Sequence, residues 1–149
     1  MVYRYSLPDY NPGADAGTVG AELERIEAAN GELTKQNVLD AARPQNAPLH
    51  PCFEWDDNVA AEKYRLSQAG KLIRFTVAVH ENGTESKAFL NVSHGYKTSR
   101  FINFRDVMRT DAYRAAVLAN AKSEARIFRD KYKELTELSR VFLAIDELG

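Results

Sequence analysis

Residues 75–90 read FTVAVHENGTESKAFL and carry the clearest β pattern in the chain. Phe75, Val77 and Val79 alternate with Thr76, Ala78 and His80, the two-residue period of a strand with one apolar face. Asn82-Gly83 supplies the pair preferred in a two-residue type I′ turn, so the spacing predicts a hairpin. That turn sets Val79 opposite Ser86, Val77 opposite Ala88 and Phe75 opposite Leu90, with His80, Glu85 and Lys87 on the other face.

Helical patterns flank the hairpin on both sides. Upstream, Asp56 or Asp57 caps a helix in which Val59, Leu66, Ala69 and Ile73 form an apolar stripe. Another side of that helix gathers Lys63, Ser67, Lys71 and Arg74, flanked by Tyr64, into a basic, hydrogen-bonding face. Three prolines make Pro44 to Asp57 an ordered loop at best, with Phe53 and Trp55 expected to fill the core. Before it, Thr34 caps a helix ending by Arg43, and Leu33 and Val38 are placed as a hydrophobic staple. An earlier helix covers about residues 19–29, with Thr18 as its cap, Val19, Leu23 and Ile26 as its apolar positions, and Asn30-Gly31 as its stop. Residues 1–17 carry Pro8, Pro12, Gly13 and Gly17 and read as an arm that Tyr3, Tyr5 and Tyr10 pin to the body.

Downstream, Tyr96 to Phe104 admits a third strand around Phe101, then a short helix at Phe104 to Met108. Thr110 or Asp111 caps the longest element, which runs to about Leu148 without Pro or internal Gly. A helix that long in a small domain implies a bend or a partner. Phe128, Tyr132, Leu135, Leu138, Phe142 and Ile145 form an apolar seam at coiled-coil-like spacing, and Lys122, Arg126, Arg129, Lys133 and Arg140 a basic stripe opposite it. The fold class is therefore α+β and mainly helical: one domain over 1–149, with an arm at 1–17, a body at 18–109 and a long helix at 110–149. Two helices, a later basic helix and a hairpin can also assemble as a winged helix, though about 14 residues separate the second and third helices.

Composition agrees with a folded chain, being 44% hydrophobic and 28% charged over 149 residues. The single cysteine, Cys52, excludes a disulfide framework and a cysteine-rich zinc module and favours a reducing compartment. The tyrosine-, proline- and acid-bearing start is unlike a secretory signal, and no apolar run approaches a membrane span. Asn82 and Asn91 formally match glycosylation acceptors and receive no functional reading.

The net charge of −1 conceals a division, because residues 1–62 hold 4 Lys/Arg against 11 Asp/Glu whereas residues 63–140 hold 16 against 8. A segment at +8 suits an anionic partner unless the acidic first third neutralises it. Glu54, Asp56 and Asp57 beside His50 and Cys52 resemble a divalent-ion set, but helix capping and core packing explain them better. His80 and His94 stand in no motif, and no phosphate-binding glycine loop, nucleophile elbow or metal-binding histidine pair occurs. No catalytic residue, metal or cofactor is expected, and the chain does not read as an enzyme.

GELTKQNVLDAAR at 31–43, PLH at 48–50 and FEWDDNVAAEKYRLSQAGKLIR at 53–74 resemble a family of small uncharacterised proteins encoded by tailed phages and prophages. A similar order of elements continues there through a hairpin to a helix like RIFRDKYKELTELSRVFLAID at 126–146, so the resemblance covers about three quarters of the chain. Gly70-Lys71 stands where the family pattern carries Ala-Arg. The resemblance implies a phage origin and expression in the cytoplasm of a bacterial host, and it brings no catalytic residues. Together these readings predict a phage-type accessory protein that binds nucleic acid, DNA first, through Lys63, Ser67, Lys71, Arg74 and the stripe at Lys122, Arg126, Arg129, Lys133 and Arg140. Self-association through the last helix is expected, without contact with a membrane. The alternative is a module that binds or inhibits a host or phage protein through the acidic first third and the loop around Trp55.

Overall fold

A computed structural model describes residues 1–57, 59–93 and 99–149, with the side chains of residues 59 and 60 outside that set. The elements run β1 (Val2–Tyr5), α1 (Ala16–Asn30), α2 (Lys35–Ala42), α3 (Val59–Phe75), β2 (Thr76–Val79), β3 (Glu85–Lys87), β4 (Phe89–Asn91), β5 (Phe101–Asn103), α4 (Phe104–Arg109), α5 (Asp111–Tyr132) and α6 (Ser139–Asp146). Short 3-10 turns lie at His50–Cys52 and Thr136–Leu138. The architecture is α+β and mainly helical.

The cap of α1 is Asp15 and not Thr18: its carboxylate accepts from the Thr18 N–H at 2.9 Å and from the Thr18 hydroxyl at 2.6 Å. Gly31, at φ 78°, ends the helix in the left-handed conformation. Thr34 caps α2 as expected, reciprocated by Asn37, and Leu33 and Val38 are both fully buried. Because α3 begins at Val59, its cap position falls on Asn58, outside the described residues and beyond Asp56 and Asp57. Its core face is Ala61, Arg65, Ala69, Leu72 and Ile73. The expected stripe is thus rotated, since Leu66 is only half-buried and Val59 lies outside the described side chains.

The amino-terminal arm is corrected to a strand over Val2–Tyr5 and the start of α1 at Ala16, whereas residues 6–15 are irregular and Tyr3, Tyr5 and Tyr10 pack on the core as expected. Val2–Tyr5 pairs antiparallel with β2 in the order β1-β2-β3, from Val2↔Val79 to Tyr5↔Thr76. Tyr3 lies over Gly20 and donates its hydroxyl to Glu24, while Tyr5 donates to the Ala14 carbonyl at 2.7 Å. The strand edge is thereby locked onto α1.

The hairpin forms with a different turn. Its loop is Glu81-Asn82-Gly83: the Gly83 N–H reaches the His80 carbonyl at 2.9 Å and the His80 N–H reaches Thr84 at 2.8 Å. A type I′ turn needs positive φ at both central residues, but among the described residues only glycines have it, and Gly83 stands at 79°. The three-residue loop shifts the register by one, to Val77↔Lys87, Ala78↔Ser86 and Val79↔Glu85. Ala78 and Ala88, rather than Val77, therefore join the main core, and Phe75 closes α3 instead of opening the strand. Past Ala88 the chain leaves β2, and β4 pairs with β5, so Leu90 faces Ile102 and not Phe75. The strand at Phe101 and the following short helix match expectation, whereas Tyr96 and His94 lie outside the described residues.

The predicted single helix to Leu148 is also corrected. The chain turns after Tyr132, and α6 folds back on α5 to form a helical hairpin. The apolar seam causes the reversal, because a straight helix leaves that stripe in water whereas a hairpin covers part of it. Phe128 meets Tyr132 and Phe142 at ring separations of 5.1 and 6.3 Å, Ile145 is buried, and Arg129 pairs with Asp146. Leu138 is half-buried and Leu135 stays exposed. Thr110 occupies the N-cap position of α5 without a side-chain capping bond. The first half of α5 rests on a second, smaller core of Val92, Ile102 and Val107 through Tyr113, Ala116 and Val117.

Candidate nucleic-acid interface

A cleft of about 550 Å3 opens between α3 and α5, with β4 and Phe101 at its base. On α3, Lys63, Ser67, Gly70 and Arg74 recur at helical spacing and line one wall. On α5, Val117, Asn120, Ala121 and Glu124 do the same on the facing wall. Lys87 at the end of β3 and Phe89, Leu90 and Asn91 of β4 line it between the two walls. Lys35 enters from the start of α2: a Cβ at Gly70 would stand 2.9 Å from Lys35 Cε, so the bare Cα lets that side chain cross α3. The α5 wall is tied to the base by Asn120, whose amide donates to the Asn91 carbonyl at 2.9 Å.

The base is clamped to α1. Glu27 is 6% exposed and accepts from the Asn103 backbone N–H at 2.7 Å and its side-chain amide at 2.6 Å. Burial raises the Glu27 carboxyl above its ordinary value, and the Asn103 bonds oppose that shift. Phe101 and Leu33 exchange backbone hydrogen bonds at 2.7 and 2.8 Å, which sets the position of the aromatic ring.

Lys35, Lys63, Arg74 and Lys87 bring positive charge to the cleft, against the carboxylate of Glu124. Among the described residues none of these four cations has a carboxylate within ion-pair distance. Arg74 lies over the Phe75 ring at 5.1 Å, which holds its stem without spending its charge. Among the described residues, ion pairs join the acidic first third to the +8 segment at Arg65, with Asp57 and Glu62, and at Arg100, with Glu32, while the Arg4–Glu85 pair runs the other way.

Of the nine cation and hydroxyl positions predicted from sequence, the cleft brings together Lys63, Ser67 and Arg74. Lys71 is exposed and sits about 80° around α3 from Lys63 at 100° per residue. The stripe of Lys122, Arg126, Arg129 and Lys133 faces away from the cleft, Lys122 and Arg126 each standing about 160° from Glu124. Arg129 is moreover committed to Asp130 and Asp146, and the break after Tyr132 moves Arg140 onto α6. The two predicted basic faces are therefore two separate surfaces. Lys35 and Lys87 were not singled out, since they come from the acidic third and from the hairpin.

The loop before α3 is occupied with packing. His50 stacks on Trp55 at 4.6 Å, the indole N–H donates to the His50 carbonyl at 2.8 Å, and Arg65 lies over the indole at 5.0 Å. Arg65 itself is buried and donates to the carbonyls of Glu54 and Asp56. Trp55 is thus not the exposed anchor that a protein-binding loop needs. Burial pushes the Cys52 thiol up to about 11. Among the described residues no three His, Cys, Asp or Glu side chains converge as a metal site, and no helix is long and apolar enough to cross a membrane. No protein-family model, curated protein or solved structure matches the chain.

Proposed function

We propose that this chain binds nucleic acid through the basic cleft between α3 and α5, as a phage-type accessory protein acting in the cytoplasm of a bacterial host. The observation that carries the reading is the convergence of Lys35, Lys63, Arg74 and Lys87 from three elements, free of carboxylate partners among the described residues, on one concave surface. Unneutralised lysine and arginine attract phosphates and release their counterions. Aromatic and aliphatic side chains at the base of such a groove suit bases, which the cations alone would not. The origin rests on the resemblance at 31–74 and 126–146.

Titration of a labelled oligonucleotide tests the reading. Affinity falls steeply as salt rises, Lys63→Glu with Arg74→Glu abolishes binding, and Lys122→Glu with Arg126→Glu leaves most of it. Absence of binding at low salt, or loss confined to the Lys122 and Arg126 variant, refutes it.

Self-association through the α5–α6 hairpin is the second element of the proposal. Ile127 and Leu143 are 67% and 64% exposed, and two such hairpins together make a four-helix bundle. Light scattering then gives a dimer that Ile127→Lys with Leu143→Lys converts to a monomer. A wild-type monomer at high concentration sinks this element, and capture of a protein partner by the same surface would favour the interaction-module alternative.

A further inference from the structure

We infer that the cleft accepts one unstacked nucleotide of a single strand, its phosphates on the α3 side and its base between Leu66 and Phe101 with an edge towards Glu124. This deepens the nucleic-acid reading and rests on it. Size comes first, because about 550 Å3 lies within the range of small-ligand sites and suits a nucleotide rather than a double helix. Orientation comes second. A helix that reads duplex DNA must enter the major groove unobstructed, but the Lys63, Ser67 and Arg74 face of α3 looks across the cleft at α5.

Charge asymmetry then orients the strand. Lys35, Lys63, Arg74 and Lys87 come from α2, α3 and β3, whereas Glu124 stands on the α5 wall. An anionic backbone is drawn to the first wall and repelled from the second, so the base is the part that meets Glu124. A carboxylate accepts from the exocyclic amine of cytosine, and the O4 of thymine at the equivalent position repels it. The site therefore prefers cytosine to thymine in a strand of otherwise equal geometry.

Fluorescence anisotropy with labelled oligo-dC, oligo-dT and a duplex of the same length tests this at low salt. Oligo-dC binds about fivefold or more tighter than oligo-dT, the lower end expected of a base-edge contact, and the duplex binds more weakly than either. Glu124→Gln binds oligo-dT more tightly, because the repulsion of thymine O4 is gone, and loses the preference between the two strands. If the duplex binds as well as the single strands and Lys63→Glu with Arg74→Glu abolishes both, nucleic-acid binding stands and this inference is overturned. An unchanged oligo-dC to oligo-dT ratio in Glu124→Gln overturns the base-edge contact, and no binding of any probe overturns both readings.

Discussion

Replacing Lys63 and Arg74 together by alanine removes two of the four cations in the cleft and leaves Lys35 and Lys87. Both deleted side chains are exposed at their tips, so the fold is expected to survive. For a single strand the logarithm of affinity falls with the logarithm of salt at about −0.7 per phosphate neutralised, so the two phosphates that flank the bound nucleotide give a slope of about −1.4 and a single one about −0.7. Raising salt from 50 to 200 mM then weakens the wild type by roughly 7-fold and the double variant by roughly 3-fold. Anisotropy titrations at several salt concentrations measure both slopes, with Lys122→Ala and Arg126→Ala together as the control that keeps the wild-type slope. A double variant that binds more weakly at an unchanged slope would refute the reasoning, because its cations would then act on folding and not on phosphate.

Glu27→Ala strands the Asn103 N–H and amide, and urea denaturation should show a loss of about 1–3 kcal/mol. Burial raises the Glu27 carboxyl in the folded state, so its favourable contribution is complete below the ordinary carboxylate value of 4.5 and declines as pH rises through the folded value. The stability gap between wild type and Glu27→Ala should accordingly narrow from acid to neutral pH, and a widening gap would contradict this. Gly20→Ala places a Cβ 2.1 Å from the Tyr3 ring and should cost about 1–3 kcal/mol in thermal or urea unfolding. The cost should shrink when Tyr3 is also replaced by alanine, since the clash needs the ring. Gly83→Ala forces a side chain to φ 79° at an open site and should destabilise by about 1–2 kcal/mol without altering binding, as read by parallel melting and anisotropy curves.

Local signals told most where short-range chemistry decides. Thr34 and Pro44 delimit α2, and Gly31 ends α1, because caps and forbidden conformations involve neighbours only. Asn82-Gly83 announced a hairpin but not its register, which depends on whether Asn82 adopts positive φ; the difference of one residue exchanged the faces of the strand. β1 was hidden because its partner lies more than seventy residues away, and only the free edge of β2 makes a strand of Val2–Tyr5. The reversal after Tyr132 has no proline or glycine to mark it, being driven by the packing of Phe128 against Phe142 and the burial of Ile145.

The same division runs through the site. Lys63, Ser67 and Arg74 are visible as one face because helical spacing alone groups them. Lys35 and Lys87 join them only through tertiary packing, the first by crossing α3 at Gly70. Arg65 is buried beneath Trp55 with carbonyl partners that no periodicity reveals. Charge counting groups residues 63–140 as basic but cannot tell that α5 turns its basic stripe away from the cleft or that Lys35 joins it.

Chemical-shift mapping of the isotope-labelled protein during titration with oligo-dC bears most directly on the cleft as the binding surface. The largest amide changes are predicted at Lys63, Ser67, Arg74, Lys87 and Phe101, saturating together as the strand is added. Changes confined to the Lys122–Lys133 face of α5, or no changes at all, would contradict it.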